Sequence, residues 1–210
     1  DTSKNIYKEV LNLLDELKED EHFKTIVFDP YSNIQDIMVE KATERKGSNL
    51  SWSEWGKVSN AMTVIRNRVA TLSRDRNVVL VLHSKTHEDN DTLDGVGFNM
   101  NYPKLTKTNA DNLLQMVKTA VYTTKKIFKN EDGTKDIGYV GYIGQHPTIK
   151  TKFRTYKNTL KTGFYVRNIT YDKISKIEEG DDPEKYQSDN LVENSRPMES
   201  EEEKNNKEEN

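Results

Sequence analysis

Two short apolar runs stand out in a chain that is otherwise heavily polar. Thr25-Ile26-Val27-Phe28 ends in Asp29, and Asn77-Val78-Val79-Leu80-Val81-Leu82 ends in His83. Neither run alternates polar with apolar, and both are rich in β-branched residues. Each predicts a strand buried on both faces of a parallel sheet. Helical spacing precedes the first run: Ile6, Val10, Leu13, Leu14 and Leu17 fall on one stripe, with Ser3 as its capping residue. Pro30 then stops the first strand, and Asn33 is expected to cap a helix from Ile34 to about Arg45. A longer helix is predicted from Ser51 or Ser53 to about Ser73, with apolar positions at Trp55, Val58, Met62, Ile65, Val69 and Leu72. Strand, crossover helices and strand make an α/β unit. Open α/β sheets bind ligands at the carboxyl ends of their strands, so Asp29 and His83 are expected to face one shared site.

Past His83 the pattern weakens. Thr86–Asn101 shows no apolar period and reads as a long loop, a length usually reserved for function or disorder. A helix is predicted over about Asn109–Val117, then a strand over Thr119–Phe128. Asn130-Glu131-Asp132-Gly133 is a turn, and Ile137–Ile143 is expected to pair back antiparallel. Thr148–Thr155 and Gly163–Ile169 are weaker strand candidates, and no internal repeat is found.

Composition adds a boundary. From Glu178 onward thirteen Asp/Glu face four Lys/Arg, a net of −9. The whole chain is −3, so residues 1–177 carry about +6. The mildly basic body tolerates a polyanion. The acidic end holds too few apolar residues to offset its ordering entropy, so residues 178–210 are expected to be a disordered tail. With no cysteine among 210 residues, disulfides and thiolate metal sites are excluded. No apolar run approaches the roughly 20 residues that span a bilayer, and no signal peptide is visible. A cytoplasmic location without membrane contact is the expectation. The chain begins at Asp1 and runs at once into a helix, so a truncated N-terminus is expected.

The candidate chemistry starts at the strand ends. A carboxylate after a buried strand can hold Mg²⁺ through water, as in nucleoside-triphosphate hydrolases; the plainer role for Asp29 is to open an Asp-Pro turn. His83 suits a phosphate or an attacking water, or is simply a polar strand terminus. His83 and His87 are four apart, but a zinc pair at that spacing needs a helix, and this segment leaves a strand. The phosphate cradle G-x-x-x-x-G-K-[ST] occurs nowhere. Gly56-Lys57 does not supply it, since Ser51 stands five residues before Gly56 and Val58 follows Lys57. Strand alternation would put Lys150, Lys152 and Arg154 on one face, either to clamp phosphates or to keep a solvated edge strand from aggregating. Trp52, the more exposed of the two tryptophans by pattern, and nearby Lys57 are candidates for stacking on bases and contacting phosphate.

In their order along the chain these signals resemble the phage RecA-like ATPases, the phage nucleotide-binding or AAA-type proteins, some of which act as single-strand annealing recombinases. KTIVFD, preceded by the helix Tyr7–Leu17, resembles the family's Walker B region. Glu54-Trp55-Gly56 resembles its acidic-Trp-Gly helix start, VVLVLHSK its sensor strand, Tyr102-Pro103-Lys104-Leu105 its Pro-x-Leu element, and Lys152-Phe153-Arg154 its Lys-x-Arg. The resemblance covers roughly residues 1–177. It implies a RecA-like P-loop NTPase core: a mostly parallel sheet with flanking helices and C-terminal antiparallel strands, truncated at its N-terminus. It implies ATP and Mg²⁺ as cofactors, Asp29 as the Walker B aspartate and metal-site residue, His83 as the γ-phosphate sensor, and Lys152 with Arg154 as fingers reaching a neighbour's nucleotide in a homo-oligomer. Single-stranded DNA is the implied partner, through loops after Arg45 and after His83 and through Trp52, Lys57, Lys85 and Lys150. A single-stranded-DNA-binding protein is a further implied partner. The Walker A loop would precede Asp1, so this chain alone is expected to hydrolyse ATP poorly. Two features depart from the family pattern: Pro30 stands where Ser is common, and Glu88, Asp89, Asp91 and Asp94 follow His83, where they repel a phosphate backbone. The alternative is a non-catalytic nucleic-acid-binding α/β module.

Overall fold

The computed structural model describes residues 6–43, 50–89, 98–130, 132–154 and 159–187. These fall into two compact units, Asp1–Met116 and Val117–Asn210. The chain is mixed α/β.

The first unit opens with α1 (Ile6–Glu19), β1 (Thr25–Phe28), α2 (Ser32–Thr43), α3 (Trp52–Leu72) and β2 (Asn77–Leu80). β1 and β2 pair in parallel, with Ile26 opposite Val78 and Phe28 opposite Leu80. α3 forms where its signals lie. Ser51 caps it and shares a reciprocal capping box with Glu54, and Val58, Met62, Ile65, Val69 and Leu72 are its buried stripe. α1 docks beside it through Arg68, whose guanidinium donates to the Leu11 carbonyl at 2.9 Å and to Asp15 at 2.7 Å. Arg76 donates to the Leu17 and Lys18 carbonyls, satisfying acceptors that the end of α1 would otherwise leave unmade. β3 (Ser84–Asp89) and β4 (Phe98–Pro103) form an antiparallel pair before α4 (Lys107–Met116). Gln35 on α2 accepts from Asn109 at 2.9 Å and from the Thr106 backbone at 3.1 Å, joining α2 to the start of α4.

The second unit holds β5 (Thr119–Ala120), β6 (Tyr122–Lys129), β7 (Lys135–Tyr142), β8 (Lys152–Phe153), β9 (Tyr165–Arg167) and α5 (Tyr171–Glu179), followed by a short 3-10 turn at Pro183–Tyr186. β6, β7 and β9 make a three-stranded antiparallel sheet, and β5 pairs with β8. One small core gathers Phe128, Val140, Tyr142, Ile149 and Tyr165; another gathers Ile143, Phe164, Val166 and Ile177. α5 starts at the Thr170 cap and stops at Gly180, whose φ of 108° is the left-handed conformation that glycine adopts without strain.

Several expectations need correction. The mostly parallel sheet is absent: among the described strands, parallel pairing is confined to β1–β2, and every other pair is antiparallel. Nor are β1 and β2 buried on both faces. Ile26, Phe28, Val78 and Leu80 pack into the helical core, while Val27 is 57% exposed and Val79 and Val81 are each 40% exposed. The described helices supply a covering layer for one face only. The stripe of α1 is rotated, with Tyr7, Val10, Leu11, Leu14 and Leu17 facing the core and Leu13 51% exposed. The predicted loop at Thr86–Asn101 instead carries paired strands at both its ends, in β3 and β4, and residues 90–97 lie outside the described residues. Residues 178–187, assigned above to the tail, carry the end of α5 and the 3-10 turn; residues 188–210 lie outside the described residues. No described helix is long and apolar enough to cross a membrane.

Candidate functional site

A parallel pair sends both chains out at the same edge. Asp29 leaves β1 there, and past the end of β2 the backbone reaches His83. The ladder continues past the strands: Val81 N–H donates to the Phe28 carbonyl at 2.9 Å, and Tyr31 N–H donates to the Val81 carbonyl at 2.7 Å. The turn Asp29-Pro30-Tyr31 is therefore bonded to the segment that ends in His83. The Asp29–Pro30 peptide is cis.

Ser32 closes the arrangement. It is fully buried at the start of α2, with its Oγ 3.3 Å from His83 Nδ1 and accepting from the His83 N–H at 3.4 Å. The His83 carbonyl accepts from Lys104 N–H at 2.7 Å, which anchors the histidine backbone to the chain after β4. The sequence put the helix start at Asn33 and gave no role to Ser32, the first residue of α2, because its bond is to His83, far along the chain. Tyr31 lies beneath, 1% exposed, with its ring edge-on to Phe28 at 6.2 Å. Burial pushes its phenol up to about 12, against a smaller opposing effect from the Arg66 charge. It is a neutral packing group.

Asp29 is exposed, and among the described residues its carboxylate has no hydrogen-bond partner. The described residues contain no group of three or more His, Asp or Glu side chains able to hold a metal ion by themselves. Asp29 offers a single exposed carboxylate, and Mg²⁺ is commonly held by one or two carboxylates together with water and phosphate oxygens. His87 sits on β3, paired with Met100, its ring edge-on to Tyr102 at 6.0 Å. A strand carries this histidine, so the helical spacing needed for a zinc pair with His83 is absent.

The remaining candidates are dispersed. Trp52 is the first residue of α3 and 95% exposed; Lys57 is exposed on the same helix. Five residues at 3.6 per turn put them about 140° apart around the axis, so they do not share a face. Trp55, 37% exposed, borders the buried stripe. Lys85 is exposed on β3 opposite Tyr102. Lys150, Lys152 and Arg154 belong to the second unit. Only Lys152 of the three lies in the short β8, paired with Ala120, while Arg154 N–H donates to the Lys118 carbonyl at 3.2 Å. Burial, and then the Arg154 charge, hold the Lys152 ammonium below its usual range.

The family model described as an AAA domain matches residues 1–155. No curated protein and no solved structure matches the chain. The matched span covers β1, β2 and the Asp29–Ser32–His83 arrangement, and takes in well over half the sequence. The chain thus belongs to the AAA domain family, a membership that points to nucleotide binding.

Proposed function

We propose that this chain belongs to a RecA-like ATPase core of a phage-type recombination or annealing protein that binds ATP with Mg²⁺ and acts on single-stranded DNA. One observation carries the nucleotide part: β1 and β2 are parallel neighbours, and Ser32 hydrogen-bonds His83 across the edge that Asp29 also occupies. A carboxylate without a partner among the described residues and an oriented imidazole at one edge suit a metal-bound triphosphate. In this reading Asp29 orients a water of the Mg²⁺ shell, and His83 hydrogen-bonds the γ-phosphate. Ser32 acts through His83 by fixing its ring. The nucleotide supplies the phosphoanhydride bond. Lys152 and Arg154 reach a neighbouring subunit's nucleotide, where paired cations offset developing charge. The influence of the Arg154 charge on Lys152 supports their acting as a pair. The ATPase core in this reading extends through α5 and the 3-10 turn, and the acidic end that follows is a solubilising tail.

The test uses the full-length protein and its ATP turnover. Asp29→Asn and Arg154→Ala each lower turnover, the latter by about 10³-fold if it is a true finger. Mixing the two inactive variants restores part of the activity, because a mixed interface carries one intact Asp29 opposite one intact Arg154. Undiminished turnover in Arg154→Ala removes the finger role; two inactive variants that stay inactive on mixing remove the action between subunits.

A further inference from the structure

The β6–β7 hairpin carries a surface that none of the roles above uses. Residues directly opposite in an antiparallel pair share a face. The register sets Lys125 opposite Tyr139, Ile127 opposite Ile137, and Lys129 opposite Lys135, so these six side chains share one face. The other face holds Phe128, Val140 and Tyr142 and is buried in a core. The first face is open: Tyr139 is 58% and Ile137 53% exposed, and all three lysines are exposed. Lys125 Nζ sits 5.6 Å from the centre of the Tyr139 ring.

Among the described residues, Lys125, Lys129 and Lys135 have no ion-pair partner. The nearby acids are engaged elsewhere. Asp136 points to the opposite face and pairs with Arg167 at 3.3 Å, while Asp132 accepts from the Thr134 N–H and hydroxyl inside the turn. Glu131 lies outside the described residues. Lys129 and Lys135 stand directly across from one another, an arrangement that costs stability unless an anion lies between them. Lysines on an edge strand also discourage sheet extension. That role accounts for Lys125 and Lys129 on β6, but not for Lys135 on the inner strand or for the open Tyr139 ring and Ile137.

We infer that this face binds single-stranded nucleic acid, with Lys129 and Lys135 on the phosphates and Tyr139 under a base. Exposed aromatic rings beside a basic track are how sheets hold single strands, since only an unpaired strand offers its base faces. Occupancy releases Lys125 from the ring toward the backbone, leaving Tyr139 free to stack. The inference rests on the nucleic-acid part of the proposed function and is independent of its ATP part.

The experiment is a fluorescence-anisotropy titration of the full chain with oligothymidylate and oligouridylate over a salt series, with duplex DNA and heparin alongside. The double variant Lys129→Ala/Lys135→Ala should weaken binding and flatten the plot of log affinity against log salt by about 1.4, roughly 0.7 for each phosphate of a single strand that is no longer neutralised. Tyr139→Leu should bind about 5- to 100-fold more weakly with its slope unchanged. Thermal melting of each variant checks that it remains folded, and Lys129→Gln/Lys135→Gln provides a milder form of the first change. A preference for the thymidylate or uridylate arm identifies the natural strand. Wild-type affinity and slope in all variants would overturn the hairpin assignment alone. Absence of single-strand binding by the unmodified chain would overturn it together with the nucleic-acid reading. Equal or tighter binding to duplex or heparin would overturn the base-stacking role.

Discussion

β1–β2 and β6–β7 are both paired strands with one buried face, but they offer their chemistry in different places. The parallel pair concentrates it at its end, where Asp29 and His83 emerge together and Ser32 ties one exit to the other. The antiparallel pair has its carboxyl ends at opposite edges, so its polar groups cannot gather that way. They line a face instead, as Lys125, Lys129, Lys135 and Tyr139 do. Parallel pairing suits a compact ligand such as a triphosphate; an antiparallel ribbon suits an extended one.

The largest effects should come from the buried faces. Ile65 under the parallel pair and Phe128 under the hairpin are both fully buried. Ile65→Ala and Phe128→Ala should each cost about 2–5 kcal/mol in denaturant unfolding. Ile137→Ala, on the open face of the same hairpin, should cost no more than about 0.5 kcal/mol. A cost at Ile137 matching that at Phe128 would mean that the outer face is covered, and the contrast between faces would vanish.

Ser32→Ala should come next. It removes the hydroxyl bonded to His83 and should lower stability by about 1 kcal/mol. In the nucleotide reading it should also weaken ATP binding, because the imidazole loses its orientation. A variant with full ATP affinity would reduce Ser32 to a packing residue.

The smallest effect concerns pH in the second unit. Burial, then the charge of Lys126, hold His146 below its ordinary value of 6.5, and its Nδ1 accepts from the Thr148 N–H at 3.2 Å. A histidine depressed in the folded state favours the neutral ring. Its contribution is complete above pH 6.5 and is lost as pH falls through that value toward the folded pKa. The melting temperature should therefore fall modestly on acidification from neutral pH, and His146→Gln should flatten that part of the profile. An unchanged profile in the variant would assign the pH dependence to other groups.

Much of the fold was legible in the sequence where one period dominated. α3 announced itself by a serine at its start and by apolar residues at helical spacing, and the two apolar runs announced β1, β2 and their polar ends. The β3 strand did not, because Ser84-Lys85-Thr86-His87-Glu88-Asp89 contains no apolar residue and is held by its pairing with β4. α5 was missed although Thr170 and Gly180 bracket it, because only Ile174 and Ile177 mark its inner side within a run of charges. Ser32 was hidden because its role lies in the tertiary contact with His83, which no local pattern marks. The open hairpin face was beyond reach, since alternation assigns residues to two faces without saying which one a core will cover.

If Asp29 and His83 attend one metal-bound nucleotide, a paramagnetic ion in place of Mg²⁺ must sit beside both. Titrating Mn²⁺ with ATP into the isotopically labelled full-length protein reads this as line broadening. Resonances of Tyr31, Ser32 and the His83 ring should broaden together, and Asp29→Asn should abolish the effect at the same concentrations. Broadening centred elsewhere, with Ser32 and His83 sharp, would contradict a shared nucleotide site at this edge.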